Sequence, residues 1–357
     1  MPEPRCEVHD DPASFLAAIG DGGSDSRYFN HPAWVELVWQ RMEAPRGSRF
    51  AGLVVRHDGA PVAWWPLILS RRSLGFRLQN LGQEISDYAT PHVEPAHAAH
   101  TDTLFSAMLE AVRGLRRRYA YLQWQQFLPP EGIGLPPDLA PGPRLSHGWK
   151  AGAPRDNFFI ECGPFAGDPD AWFSQRLSRN VRKNLRHEHN VLKRQGELAL
   201  VALPDHTSLA PLRDPYFSWY RHGLANSSAR QLKLDIWWSF YEAQVAGLLD
   251  ASRLNVGGRC ASLIFGFRRG GEYDLFSLAF DPELAEFSPG KQHLVLLIQR
   301  EIARGTTRFN FLAGDEAYKR QFATDSYPTW DLHHTHPGNL SALLPWAKAY
   351  LKTMRDN

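Results

Sequence analysis

Cysteine is scarce and awkwardly placed: Cys6, Cys162 and Cys260 are the only three in 357 residues. Far apart and odd in number, they exclude a disulfide framework and a Cys-x-x-Cys metal site, and they fit a reducing compartment. A dominant sign of charge is lacking too. With 40 Lys and Arg against 38 Asp and Glu the formal net charge is +2, so attraction for an anion has to come from local clusters rather than the field of the whole chain. No uninterrupted run approaches the roughly 18 apolar residues of a membrane span, and the opening stretch MPEPRCEVHDD has no apolar h-region. The expectation is a cytoplasmic protein with no integral membrane segment. A GxSxG elbow, a Walker loop and a Rossmann glycine fingerprint are all missing. Fifteen histidines include His333, His334 and His336, but without HExxH spacing or a carboxylate companion they give no reason to expect a metal.

Core-forming residues, by contrast, are plentiful. Hydrophobic residues make up 43% and aromatics 12%, a globular composition, and the length suggests two domains. In the first half, helices are expected over 12–19 and 31–42, and a hairpin pairs 51–55 with 62–69 across Arg56-His57-Asp58-Gly59. A strand and polar loop (78–88), a helix (102–118) and a strand (119–127) follow, then a Pro/Gly-rich connector (129–143) near the domain boundary. The second half reads as a strand at 158–161, a long helix at 169–194, a strand at 198–203 and two helical segments over 209–249. A hairpin across Gly257-Gly258 comes next, then a strand from 273 that stops at Asp281-Pro282. Leu294, Leu297, Ile298 and Ile302 recur at helical spacing before Gly305, which predicts a helix over 292–304 and a βαβ unit. Helix, hairpin, polar loop, helix and strand occur twice, in 34–127 and in 216–311. That recurrence fits either an internal duplication or two common α+β units. The expected division is 1–150, 151–335 and a helical tail within 336–357, with its amphipathic stretch at 340–354.

Four groups of residues invite chemistry. On the 169–194 helix, Arg179, Arg182, Lys183, Arg186 and Lys193 fall on one arc, and Leu177, Val181, Leu185 and Leu192 on the opposite one. Either the cations solvate an outer face or, nearly lacking acidic i,i+4 partners, they await an anion. Gly82-Gln83-Glu84-Ile85-Ser86-Asp87-Tyr88 puts a carboxylate beside a tyrosine in a loop, suited to taking a proton from an amine or to an Asx turn. Ser288-Pro289-Gly290-Lys291 opens a helix where free N–H groups and the helix dipole can receive a phosphate, or is a plain cap. Asp315, Tyr318 and Lys319 follow the last strand of the βαβ unit, with Asp315 either catalytic or the N-cap of a short helix. Asp281 reads as a turn residue.

The aromatic strand ending in Phe280-Asp281, Ser288-Pro289-Gly290, Phe309-Asn310-Phe311, Gly314-Asp315-x-x-Tyr318-Lys319 and the run Arg182-Lys183-Asn184-Leu185-Arg186 together resemble the GNAT superfamily. The nearest branch is that of the CelD-like (cellulose-biosynthesis type) acetyltransferases and FemAB-like peptidyltransferases. Ser288 to Lys291 is less glycine-rich than the usual GNAT pyrophosphate loop. The resemblance implies an α+β fold of two tandem GNAT-like domains, mixed sheets flanked by helices, and an N-acyltransferase. The donor would be acyl-CoA such as acetyl-CoA, held at Ser288, Gly290 and Lys291. The acceptor would be an amine on a sugar, a sugar nucleotide or a cell-envelope or polysaccharide precursor, lipid- or nucleotide-linked. Arg182, Lys183 and Arg186 would meet its phosphates, Tyr88 and Tyr318 would line its site, and Asp87, Asp315 and Lys319 would carry the chemistry, Lys319 nearest the reacting carbonyl. Aminoacyl-tRNA is the alternative donor, and a non-catalytic binding member of a polysaccharide-synthesis system the alternative class; no DNA partner is expected.

Overall fold

The computed structural model of the chain describes residues 4–20, 28–72, 75–130, 149–152, 154–222, 228–244 and 247–335. It divides into two compact units, Met1–Arg155 with Pro328–Asn357, and Asp156–Tyr327. The chain returns to the first unit at Pro328, where Trp330 and Leu332 pair with Phe127 and Trp124. The expected tail helix at 340–354 and connector residues 131–143 lie outside the described residues.

The first unit contains β1 (Arg5–His9), α1 (Pro12–Ile19), α2 (Pro32–Val38), β2 (Arg49–Phe50), β3 (Gly52–His57), β4 (Ala60–Trp65), β5 (Leu67–Arg72), β6 (Gly75–Asn80), β7 (His92–Val93), α3 (Thr101–Gly114), β8 (Tyr121–Phe127) and β9 (Trp149–Ala151). One sheet runs β1-β3-β4-β7. Another runs β8-β6-β5-β2. The single strand expected over 62–69 is thus two strands in two sheets. Pro66 lies between them, with no N–H for a ladder and a fixed φ, so the chain leaves the β3 pairing after Trp65 and joins β6 from Leu67. The core gathers Leu104, Phe105, Met108 and Val112 of α3 against Trp65, Trp124 and Phe127, with the rings of Trp65 and Trp124 centred 4.5 Å apart.

The second unit begins with β10 (Arg155–Glu161), α4 (Pro169–Ala171), α5 (Arg179–Arg194), β11 (Leu198–Ala202), α6 (His206–Leu209), α7 (Arg213–His222) and α8 (Ser228–Gln244). There follow β12 (Leu249–Val256), β13 (Arg259–Arg269), β14 (Glu272–Phe280), α9 (Pro289–Ala303), β15 (Arg308–Asn310) and α10 (Ala317–Phe322); β16 (Asp325–Thr335) carries the chain back to the first unit. Its sheet runs β11-β12-β13-β14-β15-β10. The β14·β15 pair is parallel and crosses over through α9. The long helix expected over 169–194 is broken. A wide π turn at Trp172–Arg176 ends it, Ser178 takes extended angles (φ −61, ψ 156), and the Ser178 hydroxyl accepts from the Val181 N–H to start α5 afresh.

α9 lies on the sheet through Leu294, Leu297, Ile298 and Ile302, all buried. His293 is buried beside them, its ring nitrogens 2.9 Å from Ser252 Oγ on β12 and 2.8 Å from Ser262 Oγ on β13. Burial, helped by the charge of Arg300, pushes its pKa down to about 3. Above the ordinary histidine pKa of about 6.5 both folded and unfolded chains hold this group neutral. As the pH falls from there toward 3, the unfolded chain takes up a proton that the folded chain refuses, so stability is lost on acidification. Between pH 7 and pH 5 the loss traceable to His293 is expected to be about 2 kcal/mol. Urea midpoints at the two pH values, compared between the parent and His293→Gln, check it: the variant should lack most of this pH dependence.

Candidate functional site

The parallel pair at the centre of the second unit separates early. Pairing spans Glu272↔Arg308 to Asp274↔Asn310, whereas β14 continues to Phe280. Among the described residues no backbone hydrogen bond joins 275–280 to the segment after β15. On its other edge β14 is bulged: Gly266 faces Leu275 and Phe265 faces Ser277, so Phe276 is the extra residue. Phe276 and Ser277 consequently turn toward the same helices. Phe276 packs on Trp237 at 4.9 Å, and Ser277 Oγ lies 2.9 Å from the Tyr241 hydroxyl and 3.1 Å from that of Tyr216. Burial raises both tyrosine pKa values, so these groups are neutral hydroxyls at working pH.

Two turns close the carboxyl ends of the strands. After β15, Asn310 Oδ1 accepts from the Leu312 N–H and from the Tyr327 hydroxyl, each at 3.0 Å, and Leu312 is held at φ +56. After β14, Ser288 sits at φ 54, ψ 46, and its side chain caps nothing. Positive φ is uncommon in side chains such as these, and such strain gathers at ligand sites. Pro289 then opens α9 without an N–H, leaving those of Gly290 and Lys291 without an intrahelical acceptor. A Cβ on Gly290 would come within 2.9 Å of Leu278 Cδ2 and 3.2 Å of Phe280 Cδ1, so glycine is what lets the helix begin hard against the end of β14. The outer ends of parallel strands are where open sheets of this kind bind ligands.

The sequence-derived candidates are distributed around this gap unevenly. Arg179, Lys183 and Arg186 are exposed on α5. Arg186 stands over the Phe173 ring at 5.5 Å, but Arg182 is spent within the fold, donating to the carbonyls of Ser174 and, at 2.7 Å, Leu177. It thereby satisfies the carbonyls left open by the helix break, a use the unbroken helix could not reveal. Lys291 donates to Glu188 Oε1 of α5 at 2.5 Å, which neutralises the cation expected to meet a phosphate. Lys319 is buried, its ammonium donating to the Ala313 carbonyl at 2.6 Å and pairing with Glu316 at 2.9 Å. It holds the turn at Gly314. Asp315 is exposed and paired with Arg320, and the N-cap position of α10 belongs to Glu316 instead. Tyr318 is mostly buried near Phe311 and Phe322. Asp281 is the turn residue expected, accepting from the Glu283 N–H at 3.0 Å and pairing with Arg259. Asp87, partly buried, and Tyr88, buried, lie in the first unit.

Phe276, Ser277, Tyr216, Tyr241 and Leu312 escaped the sequence reading, since a bulge and a strained turn are properties of pairing register and leave no local signal. Among the described residues no group of three or more His, Cys, Asp or Glu is placed to hold a metal ion, and no helix is long and apolar enough to cross a membrane.

Residues 179–320, from α5 to α10, match the family described as an acetyltransferase (GNAT) domain. No curated protein matches the chain. The crystal structure of FemX is similar over 92% of this chain and 96% of its own, at a TM-score of 0.55 and 10% identity. The C-terminal domain (DUF2156) of a putative lysylphosphatidylglycerol synthetase from Agrobacterium fabrum matches over 95% and 97%, at 0.55 and 11%. A conserved protein of unknown function from Bacteroides thetaiotaomicron VPI-5482 matches over 92% and 99%, at 0.52 and 9%. At such identities the likeness is one of fold. The fold is α+β of the acyltransferase type, with mixed sheets flanked by helices. More narrowly, the fold is that of the GNAT superfamily in its FemAB-like form.

Proposed function

We propose that this protein is an N-acyltransferase whose second unit takes an acyl-CoA donor, such as acetyl-CoA, into the gap between β14 and β15 and passes the acyl group to an amine. The observation that carries the reading is the edge of β14 from 275 to 280, left without a strand partner among the described residues. An extended amide-bearing arm can pair with such an edge as an added strand. The unpaired N–H groups of Gly290 and Lys291 suit the donor's pyrophosphate. Lys291 itself is left out of that contact by its pairing with Glu188. Attack by a neutral amine needs alignment and a stabilised oxyanion but no covalent enzyme intermediate. Within this reading Lys319 is a positioning residue for the turn after β15, Asp315 braces that turn through Arg320, and Tyr318 packs behind it. Asp87, beside Tyr88 in the first unit, is retained as a carboxylate suited to taking a proton from an amine. The acceptor is proposed to be an amino sugar or a lipid- or nucleotide-linked envelope precursor, its phosphates met by Lys183 and Arg186.

A second reading, an aminoacyl-tRNA donor, is favoured by the exposed cations of α5. The helix has one carboxylate, Glu188, and it is committed to Lys291. Incubation with acetyl-CoA and a panel of amino sugars, followed by thiol release and mass spectrometry, tests the first reading: acylated product is expected. No release together with RNA binding that weakens steeply as salt rises would favour the second.

A further inference from the structure

Both units contain a parallel strand pair joined through a helix. In the first unit β6 and β8, connected by way of α3, pair at Arg77↔Tyr121 and Leu78↔Leu122 and then part. The sequels differ. In the second unit the link from β14 to α9 is short, 281–288, and the β14 edge stays open. In the first the link from β6 to α3 is long, 81–100, and folds back onto β8. Gln83 Oε1 accepts from the Gln125 N–H at 3.2 Å. The Ala89 N–H donates to the Gln126 carbonyl at 3.3 Å, and the Leu128 N–H donates to the Ala89 carbonyl at 3.2 Å. Ala89 and Phe127 form a parallel bridge. Since the other edge of β8 is taken by residues 330–335 of β16, these bonds fill the edge that faces β6. Leu81, Gln83, Ile85, Tyr88 and Ala89 are buried in the process. Gly82 at φ +63 makes the fold-back feasible, for a Cβ there would meet Val38 Cγ1 at 2.9 Å.

We infer that the first unit has no donor site, because segment 83–89, a turn tied to β8 by the Gln83 side chain and the single bridge at Ala89, fills the place where the second unit would admit its donor, and that each chain therefore binds one donor molecule. This rests on the donor reading given above for the β14 edge. A foreign arm entering beside β8 would have to displace the hydrogen bonds at Gln125, Gln126 and Leu128 and re-expose Ile85 and Tyr88, so an acyl-CoA has no vacant edge to pair with there.

Two measurements on the full chain test it. Amide hydrogen exchange at Ala89, Gln125 and Leu128 is expected to be as slow as in the β13–β14 ladder and unchanged by saturating acetyl-CoA. Titration calorimetry with acetyl-CoA is expected to give one equivalent per chain. Exchange as fast as in exposed loops, new protection of 83–89 on adding acetyl-CoA, or two equivalents would overturn the inference. Slow exchange with no acetyl-CoA binding at all would support a filled first unit while overturning the donor reading of the second. In Gln83→Leu, which removes the side-chain acceptor, exchange at Gln125 should rise at least tenfold; an unchanged rate would overturn the role given to Gln83.

Discussion

Replacing Glu301 by leucine is expected to destabilise the protein by about 3–5 kcal/mol, because removing one partner of a buried ion network leaves the other charges uncompensated. Glu301 is fully buried on α9. It accepts from Arg268 of β13, from Arg300 Nε at 2.9 Å and from Thr306 Oγ1 at 2.9 Å. Asp250 on β12 shares Arg268 and Arg300 and also reaches Arg304 at 3.4 Å. Two carboxylates thus hold three guanidinium groups where the end of α9 meets the sheet. Without Glu301, Asp250 alone faces all three. Arg268 and Arg304 are exposed enough to recover some hydration, which favours the lower end of the range. Urea denaturation followed by circular dichroism, read as a change in midpoint at constant slope, measures the effect. Glu301→Gln, which keeps the shape and the Thr306 bond, should lose less than the leucine variant. Equal midpoints for parent and leucine variant would mean that the network contributes nothing net.

The largest functional effect is expected from Gly290→Val. The Cβ alone comes within 2.9 Å of Leu278 Cδ2 and 3.2 Å of Phe280 Cδ1, and the two further methyls have to displace those side chains or the first turn of α9. Overpacking of this kind costs about 1–3 kcal/mol in stability. The start of the helix would move away from the end of β14, so the N–H groups of Gly290 and Lys291 would no longer meet a donor bound along that strand. A rise in acetyl-CoA KM of about tenfold to a hundredfold is expected, larger than the stability loss explains. Gly305→Ala is the control: Gly305 stands at φ +81 with nothing within 4 Å of a built Cβ, so it strains the backbone without crowding the strand end. Steady-state thiol release at varied acetyl-CoA separates the two. A Gly290→Val KM within twofold of the parent would remove the opening of α9 from the donor site.

Much of the second unit was legible because its signals are local. Leu294, Leu297, Ile298 and Ile302 mark the inner face of α9, Asp281-Pro282 marks the end of β14, and Gly257-Gly258 marks the turn between β12 and β13. The break at Ser178 also had a local signal, a serine opening a helix, but Leu177 falls in step with Val181 and Leu185, so the apolar period runs across it and hides the change of register. Nothing local announces that Lys319 is buried. Its partners are the Ala313 carbonyl and Glu316, and a lysine that bonds to its own turn has the same sequence signature as one at a sheet edge. The return of Trp330 and Leu332 to β8 was hidden for a different reason: it joins residues some two hundred positions apart. The candidate site divides the same way. The helix opening at Ser288 to Lys291 was readable; the bulge at Phe276 and the strained Leu312 depend on pairing that only the folded sheet defines.

The open edge of β14 also bears on how the protein behaves without its substrates. The side of β14 away from β13, beyond Asp274 and ending at Phe280 with 39% of its surface exposed, has no strand paired to it among the described residues, and such an edge is a surface on which one molecule can recruit a strand from another. On the reading proposed above, the edge that would take the donor is at the same time a template for self-association. The empty protein should therefore aggregate sooner on warming and at higher concentration than the donor-loaded one, so that the substrate acts as a guard against misassembly for as long as it is bound.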